Sequence, residues 1–452
     1  MVLARLSNAR VRSVEKWVAL SALRRDAVLY LASAVFAIGL GWTSGQAAQW
    51  HWGFLAAAPY AFVGVGAWVL GRRHFRRDTV VRLVLLVVVI LGVVAMPLAL
   101  EARWRQAQPE VGVIVRSATN LINGRDPYQA YLNHGHLVDA VKGIPAYESF
   151  FPYFPLMSVF GLPSAASKKN AELTDARIVM TLMTMLVSGL ALALMRASRD
   201  KKIRVAQMML ALPTGALFLS TGGDDMPILA LMLLGVVGLQ RRSNYVAGVG
   251  FALAAAMKLT AWPMALGAML VARDHDGRSA WKKIAAVVAA VLVVTITPFA
   301  LKAPWAFMSN VFAFPLGLAG VASPAASPLP GHVLTTLWSP LGHVLAPVTL
   351  LVGGYFVAKY GQRHWPFTLS EMLGLVSVAF AVMISVASAT RIGYVIYPLN
   401  FALWSWVCRE RVVPSGETSL DGAGVLVDPV GPVRLSAVAR GHRDADDPVK
   451  GI

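Results

Sequence analysis

Runs of apolar residues alternate with short polar breaks along almost the whole chain. Thirteen apolar segments stand out, at about 27–43, 53–71, 80–100, 151–166, 177–195, 205–220, 226–239, 244–257, 261–272, 284–300, 341–358, 368–388 and 392–408. Many approach the roughly 17–25 residues that a helix needs to cross a bilayer. The pattern predicts an all-α polytopic integral membrane protein. Two hairpins, 205–239 and 244–272, have arms too short for a full span. Their polar tips are therefore expected to line a cavity below the surface rather than face lipid.

The polar breaks are mostly basic, and basic loops mark the cytoplasmic side. Such clusters occur at the N-terminus, at Arg72-Arg73-His74-Phe75-Arg76-Arg77, over 196–204, 240–242, 273–283 and 359–364, and in the tail from Arg409. Two cytoplasmic ends require an even number of crossings, so one segment stays out of the count. The segment 151–166, with Pro152, Pro155 and Pro163, is read as re-entrant or tilted, leaving about twelve transmembrane helices. On the outer face this places the long loop 101–150, the tip 222–225, the turn around Lys258 and the loop 302–340. The predicted organisation is a cytoplasmic amphipathic segment over 1–26, a membrane domain over 27–408 and a tail over 409–452. Within the first, 14–23 is expected to lie on the inner surface. The tail is polar and aperiodic, and reads as disordered.

Composition agrees with the pattern. Of 452 residues, 57% are apolar and 14% charged, against about 25% charged in soluble domains. A soluble enzyme, a disordered chain and a disulfide scaffold all fit poorly. The net charge of +18 lies mainly in loop clusters facing anionic lipid, and no aromatic-basic platform for nucleic acid is present. The single cysteine, Cys408, excludes an internal disulfide. Residues 1–26 are basic and interrupted, which argues against a cleavable signal peptide. No phosphate-cradling loop, dinucleotide glycine motif, zinc-ligand spacing or nucleophile elbow occurs, so an ATP-driven pump and a nucleotide-sugar fold are excluded.

The loop 101–150 holds the first candidates for chemistry. After Pro109-Glu110, the residues Val111, Ile114, Ala118, Leu121 and Ile122 recur at helical spacing up to Asn123-Gly124. They predict a short amphipathic helix lying on the membrane. Glu110 in its first turn reads as a helix-start residue favoured by the dipole, or as a carboxylate placed for general base catalysis. Asp126-Pro127-Tyr128 reads first as a turn. Arg103, Arg105, Arg116 and Arg125 are arginines where the positive-inside rule expects few, which points to an anionic ligand. Asp224-Asp225 lies between apolar runs, as a helix cap or as a functional pair; with no third ligand nearby it gives a divalent cation little support. Lys258 has no acidic neighbour in sequence and reads as a snorkelling lysine or as a phosphate-binding cation. Arg391, in a stretch with Tyr394, carries the same two readings. His332 follows a proline-rich outer loop.

Together these elements resemble a known family. Glu110, Val113, Gly124 and Asp126-Pro127-Tyr128 are similar to the first-outer-loop signature of polyprenyl-phosphate-sugar-dependent glycosyltransferases of the GT-C superfamily. More narrowly they resemble glycosyltransferase family 87, which includes PimE-type mannosyltransferases. Tyr153-Phe154-Pro155-Leu156, Gly223-Asp224-Asp225 and Lys258 in its apolar context extend the resemblance over roughly 100–400. The resemblance implies a GT-C-like bundle in the plasma membrane with its active site facing outward. It implies Glu110, at a position more often Asp, as general base, and His332 as a looser catalytic match. Lys258, Arg391 and Arg125 would face the donor phosphate, and Asp126, Tyr128, Tyr153, Asp224, Asp225 and Tyr394 would bind substrate. The implied partners are a polyprenyl-phosphate sugar, a glycolipid or polysaccharide acceptor and membrane lipids, with no cofactor, no divalent metal and no nucleic acid. A flippase for lipid-linked saccharides is the alternative, although paired repeats with broken helices are not evident. A structural subunit would leave Asp224, Asp225 and Lys258 unexplained.

Overall fold

The computed structural model describes residues 20–409, except 73–77, 134–135, 168–171, 278, 322–324, 326 and 388–389. Most of the N-terminal segment read over 1–26, and the tail read over 409–452 from residue 410 on, lie outside the described residues.

Every apolar segment becomes helix. The order is α1 (Ala22–Thr43), α2 (Ala47–Leu70), α3 (Asp78–Trp104), α4 (Pro109–Ile122), α5 (Leu162–Ala166), α6 (Ala176–Leu194), α7 (Arg199–Thr221) and α8 (Asp225–Gln240). Then follow α9 (Asn244–Ala255), α10 (Trp262–His275), α11 (Ala280–Lys302), α12 (Pro304–Met308), α13 (Pro330–Leu337), α14 (Leu341–His364), α15 (Leu369–Val386) and α16 (Ile396–Cys408). Among the described residues, seven of these helices are long and apolar enough to cross a membrane: α1, α2, α3, α6, α7, α11 and α15. The protein is thus a mostly helical, membrane-embedded chain. Leu, Val and Ala outline the outer faces of the long helices, where Phe62, Val84, Leu186 and Val294 stand exposed, as expected for surfaces solvated by lipid rather than water.

The centre of the bundle is α8. Nearly all its side chains are buried, from Asp225 to Leu239, which is the behaviour of a helix apolar on every face. It packs on α6 and α9. Glycines bring α8 and α9 into backbone contact: a Cβ on Gly250 would lie 2.6 Å from Gly235 N, and one on Gly238 2.4 Å from Ala247 N. In α3 a π-helical turn at Leu91–Ala95 releases the carbonyl of Val93, which accepts from Trp52 Nε1 at 2.8 Å and Ser220 Oγ at 3.1 Å.

Two features differ from the sequence reading, and a third bears on it. First, the long loop contains a small antiparallel hairpin, β1 (Tyr131–Asn133) with β2 (His136–Val138), so the chain is not wholly helical; a long loop must still pair its backbone groups. Secondly, the apolar face of α4 is covered by protein. Val111, Ile114 and Ala118 are buried against the 3₁₀ turns of Pro155–Gly161, where a Cβ on Gly161 would lie 2.7 Å from Ile114 O. Ser117 and Ser158 hydroxyls meet across this contact at 2.5 Å. Thirdly, the segment read as re-entrant is Pro155–Gly161 followed by α5. At about 2 Å per residue or less it reaches roughly 24 Å at most, short of a hydrocarbon core of about 30 Å. The two long loops are sewn together through Asn310, whose amide donates to Ala130 O at 2.5 Å and accepts from Phe151 N–H at 2.6 Å.

Candidate active site

The start of α4 is fixed to the end of α7. Gln108, the N-cap residue, donates its backbone N–H to Thr221 O at 3.0 Å and its side-chain Nε2 to Thr221 Oγ1 at 2.7 Å. Pro109 follows at the first helical position, where its missing N–H costs nothing. Gly222 then ends α7 at φ +98°, and a Cβ there would lie 2.2 Å from Val111 Cγ2. Only glycine meets both conditions. This joint brings Glu110, in the first turn of α4, close to the start of α8.

Around it the chain gathers five charged groups. Glu110 Oε1 accepts a hydrogen bond from Arg391 Nη1. Its other oxygen, Oε2, is buried and has no hydrogen-bond partner. Lys258 Nζ donates to Asp224 Oδ2 at 2.9 Å and to Asp225 Oδ1. Tyr397 donates its hydroxyl to Asp225 Oδ1 at 2.5 Å and exchanges a hydrogen bond with Thr260 Oγ1 at 3.0 Å. The Lys258 ammonium lies over the rings of Tyr153, at 5.3 Å, and Tyr394, at 5.7 Å. Tyr153 is held there because the next residue, Phe154, donates its N–H to Met257 O at 3.0 Å. Burial works against the charge of Arg391, but Glu110 together with Tyr394 and Tyr153 outweighs it and raises the pKa of the guanidinium above its ordinary value.

The structure therefore joins residues that sequence reasoning left separate. Lys258, with side-chain exposure of 12%, is neither snorkelling nor alone. Asp224 occupies the N-cap position of α8, yet its side chain makes no capping hydrogen bond and turns to Lys258 instead. An ammonium lies between the two carboxylates. Three carboxylates face two cations at this site, so neither Lys258 nor Arg391 is free of a counter-charge. Tyr397, Thr260, Gln108 and Thr221 were not singled out in the sequence. Tyr397 had a usable signal: it lies three residues after Tyr394, on one helix face.

Other predicted residues lie apart from this cluster. Arg125 is exposed just past the far end of α4, about 20 Å along the chain direction from Glu110 at 1.5 Å per residue, so it does not join Arg391. Asp126 forms the turn expected of it, with Oδ1 accepting from Tyr128 N–H at 2.9 Å. Its Oδ2 is buried without a partner, and burial pushes the carboxyl above its usual range. Tyr128 is buried, and its hydroxyl donates to Tyr153 O at 3.0 Å. His332 is half-buried in the first turn of α13, next to Gly331, whose Cα packs on Val386 and Ala387 shortly before Arg391.

Residues 151–409 match the model of glycosyltransferase family 87, more than half of the chain. The matched part holds Tyr153, Asp224, Asp225, Lys258, His332, Arg391 and Tyr394, and begins after Glu110, Arg125, Asp126 and Tyr128. No curated protein matches the chain.

Proposed function

The chain belongs to glycosyltransferase family 87 and is by that membership a membrane glycosyltransferase, and from that premise we propose that it moves a sugar from a polyprenyl phosphate to a glycolipid or polysaccharide. Mannose is the sugar we assign. The reaction takes place at the outer face of the plasma membrane, with about twelve crossings and both termini in the cytoplasm. Glu110 takes the proton of an acceptor hydroxyl. The hydroxyl oxygen bonds to the anomeric carbon as the bond from that carbon to the phosphate oxygen breaks, and polyprenyl phosphate leaves with the electron pair. Attack opposite the leaving group inverts the anomeric centre.

One observation carries this reading: a half-buried carboxylate with one oxygen held by Arg391 and the other buried and unpartnered. Buried acceptors in folded proteins are normally satisfied, and an acceptor hydroxyl supplies the missing donor. Arg391 holds one oxygen of Glu110 and can also turn to the donor phosphate. Lys258 has three N–H groups, two of which go to Asp224 and Asp225; the third is available to the phosphate. Tyr153 and Tyr394 orient this ammonium, and His332 is the second catalytic candidate. The donor is already activated, so neither nucleotide nor metal enters the proposal.

The test is purified protein in lipid, with radiolabelled polyprenyl-phosphate-mannose and a membrane glycolipid extract. Label is expected in a new glycolipid with wild type and not with a folded Glu110→Gln variant. Transfer that survives Glu110→Gln removes Glu110 from the mechanism. Saccharide movement across vesicles with no transfer replaces the enzyme by a flippase.

A further inference from the structure

The far end of α4 borders an open cavity of about 720 Å³, apart from the charged cluster. Its walls include Arg116, Asn120, Arg125, Asp126, Gln129 and Asp139, from α4, its exit and the segment after β2. The volume lies within the range of about 300–1,000 Å³ usual for small-molecule sites, and the lining sets charged and amide side chains beside apolar surface, as a sugar with its polar edges and apolar faces requires.

We propose that this cavity is a subsite for the neutral sugar units of the acceptor, distal to the hydroxyl that reacts. The proposal rests on the transferase reading above and names what that reading leaves open, the acceptor's chemistry.

Charge decides against an anionic ligand. Arg116 already faces Glu148, with Nη2 at 3.6 Å from its carboxylate and 2.8 Å from its backbone oxygen. Arg125 shares the wall with two carboxylates, Asp126 and Asp139. No excess positive charge is left for a phosphate. Uncharged hydroxyls, by contrast, find both donors and acceptors. Asn120 and Gln129 meet through one amide contact at 3.2 Å, which leaves further amide donors and acceptors unused. The carboxylate of Asp139 accepts from sugar hydroxyls, and the guanidinium of Arg125 supplies a donor pair to neighbouring sugar oxygens; both residues are exposed on the cavity wall.

Position decides between donor and acceptor. The sugar being transferred must lie at Glu110, about 15 Å from Asn120 along α4, which is the reach of a short oligosaccharide rather than of one sugar. Arg116 links the cavity wall to the first turns of α4. Arg116 reaches back over Gly112, where a Cβ would lie 3.1 Å from its Nη1, and Gly112 is two residues from Glu110. Tyr128 forms the wall between the cavity and the Lys258 cluster through its bond to Tyr153 O.

The experiment uses the full chain in lipid nanodiscs, with octyl mannosides carrying one and three mannose units as probes in equilibrium binding. Wild type is expected to bind the trimannoside at least tenfold more tightly than the monomannoside. Arg125→Ala and Asp139→Asn, both at exposed positions, should each remove most of that difference, and Thr119→Trp, which fills the cavity from an exposed site, should abolish it. Inorganic phosphate should not compete. Equal affinity for both probes, indifference to all three variants, or displacement by phosphate overturns the subsite. Length-dependent binding that responds to the variants, without label transfer in the assay above, upholds the subsite and removes the transferase reading. Transfer indifferent to them does the reverse.

Discussion

Two ion networks sit at opposite ends of α3 and α7, and their carboxylates are met differently. At the starting ends of α1, α3 and α7, Asp26 accepts from Arg82 Nε at 2.5 Å and Nη2 at 3.2 Å and from Arg204 Nη1 at 2.6 Å, while Arg82 also reaches Asp200 at 2.6 Å. Both oxygens of Asp26 are occupied. At the finishing ends, Glu110 meets Arg391 with one oxygen only. From Arg82 to Glu101 at the far end of α3 the helix rises about 28 Å, so the two networks share scaffold but not surroundings. Burial and ion pairing therefore do not by themselves mark a reactive site. What sets Glu110 apart from Asp26 is the carboxylate oxygen left without a donor.

If that contrast is sound, the two networks fail in different ways when cut. The largest effect is expected for Glu110→Gln, which keeps the shape and the contact with Arg391 but loses the base. Transfer should fall by about 10²–10⁴, the usual worth of general base catalysis, with thermal unfolding little changed. Asp26→Asn should do the opposite. Leaving the buried Arg82 and the half-buried Arg204 short of a partner costs about 3–5 kcal/mol of stability, read as earlier unfolding in detergent, while each folded molecule retains its turnover. An Asp26→Asn protein with native stability and no transfer would erase the distinction.

Lys258→Met tests the second half of the outer cluster. It strands the Asp224 and Asp225 carboxylates together, and a loss of about 3 kcal/mol is expected. Adding Asp225→Asn should recover part of that stability, because the two substitutions act on one network and are not additive. Transfer should recover less than stability, since the ammonium that faces the leaving phosphate is still missing. Equal recovery of both would make Lys258 a structural residue alone.

Much of this was legible along the chain. The apolar blocks are the helices, because a helix among lipid must be apolar along its length. Glu110, Asp224, Asp225, Lys258 and Arg391 each stood out as charges in apolar surroundings. Their partners did not, for two reasons. Glu110 and Arg391 are 281 positions apart, and the sequence of one says nothing of the other. The apolar stripe of α4 records that Ile114 and Ala118 must be covered, but lipid and the turns of Pro155–Gly161 satisfy that demand equally well. Arg125 was grouped with the phosphate-facing cations because charge is readable and direction along a helix end is not.

The smallest expected effect concerns how the two sides of the site are joined. Gln108 precedes Glu110 by two residues and Thr221 precedes Asp224 by three, so the pair fixes the base relative to the start of α8. Thr221→Val leaves the Gln108 amide buried without its acceptor and should cost about 1–3 kcal/mol. Gln108→Leu should lower turnover about tenfold through displacement of Glu110, as small misplacements of a catalytic group do, while KM for the acceptor changes little. The double variant is the informative one. With both polar partners gone no buried group is left unsatisfied, so stability should return toward wild type. Turnover should not, because an apolar contact lacks the direction of the hydrogen bond and no longer fixes the first turn of α4. Stability and turnover measured together on these three proteins separate a joint that only holds the fold from one that also aims the base.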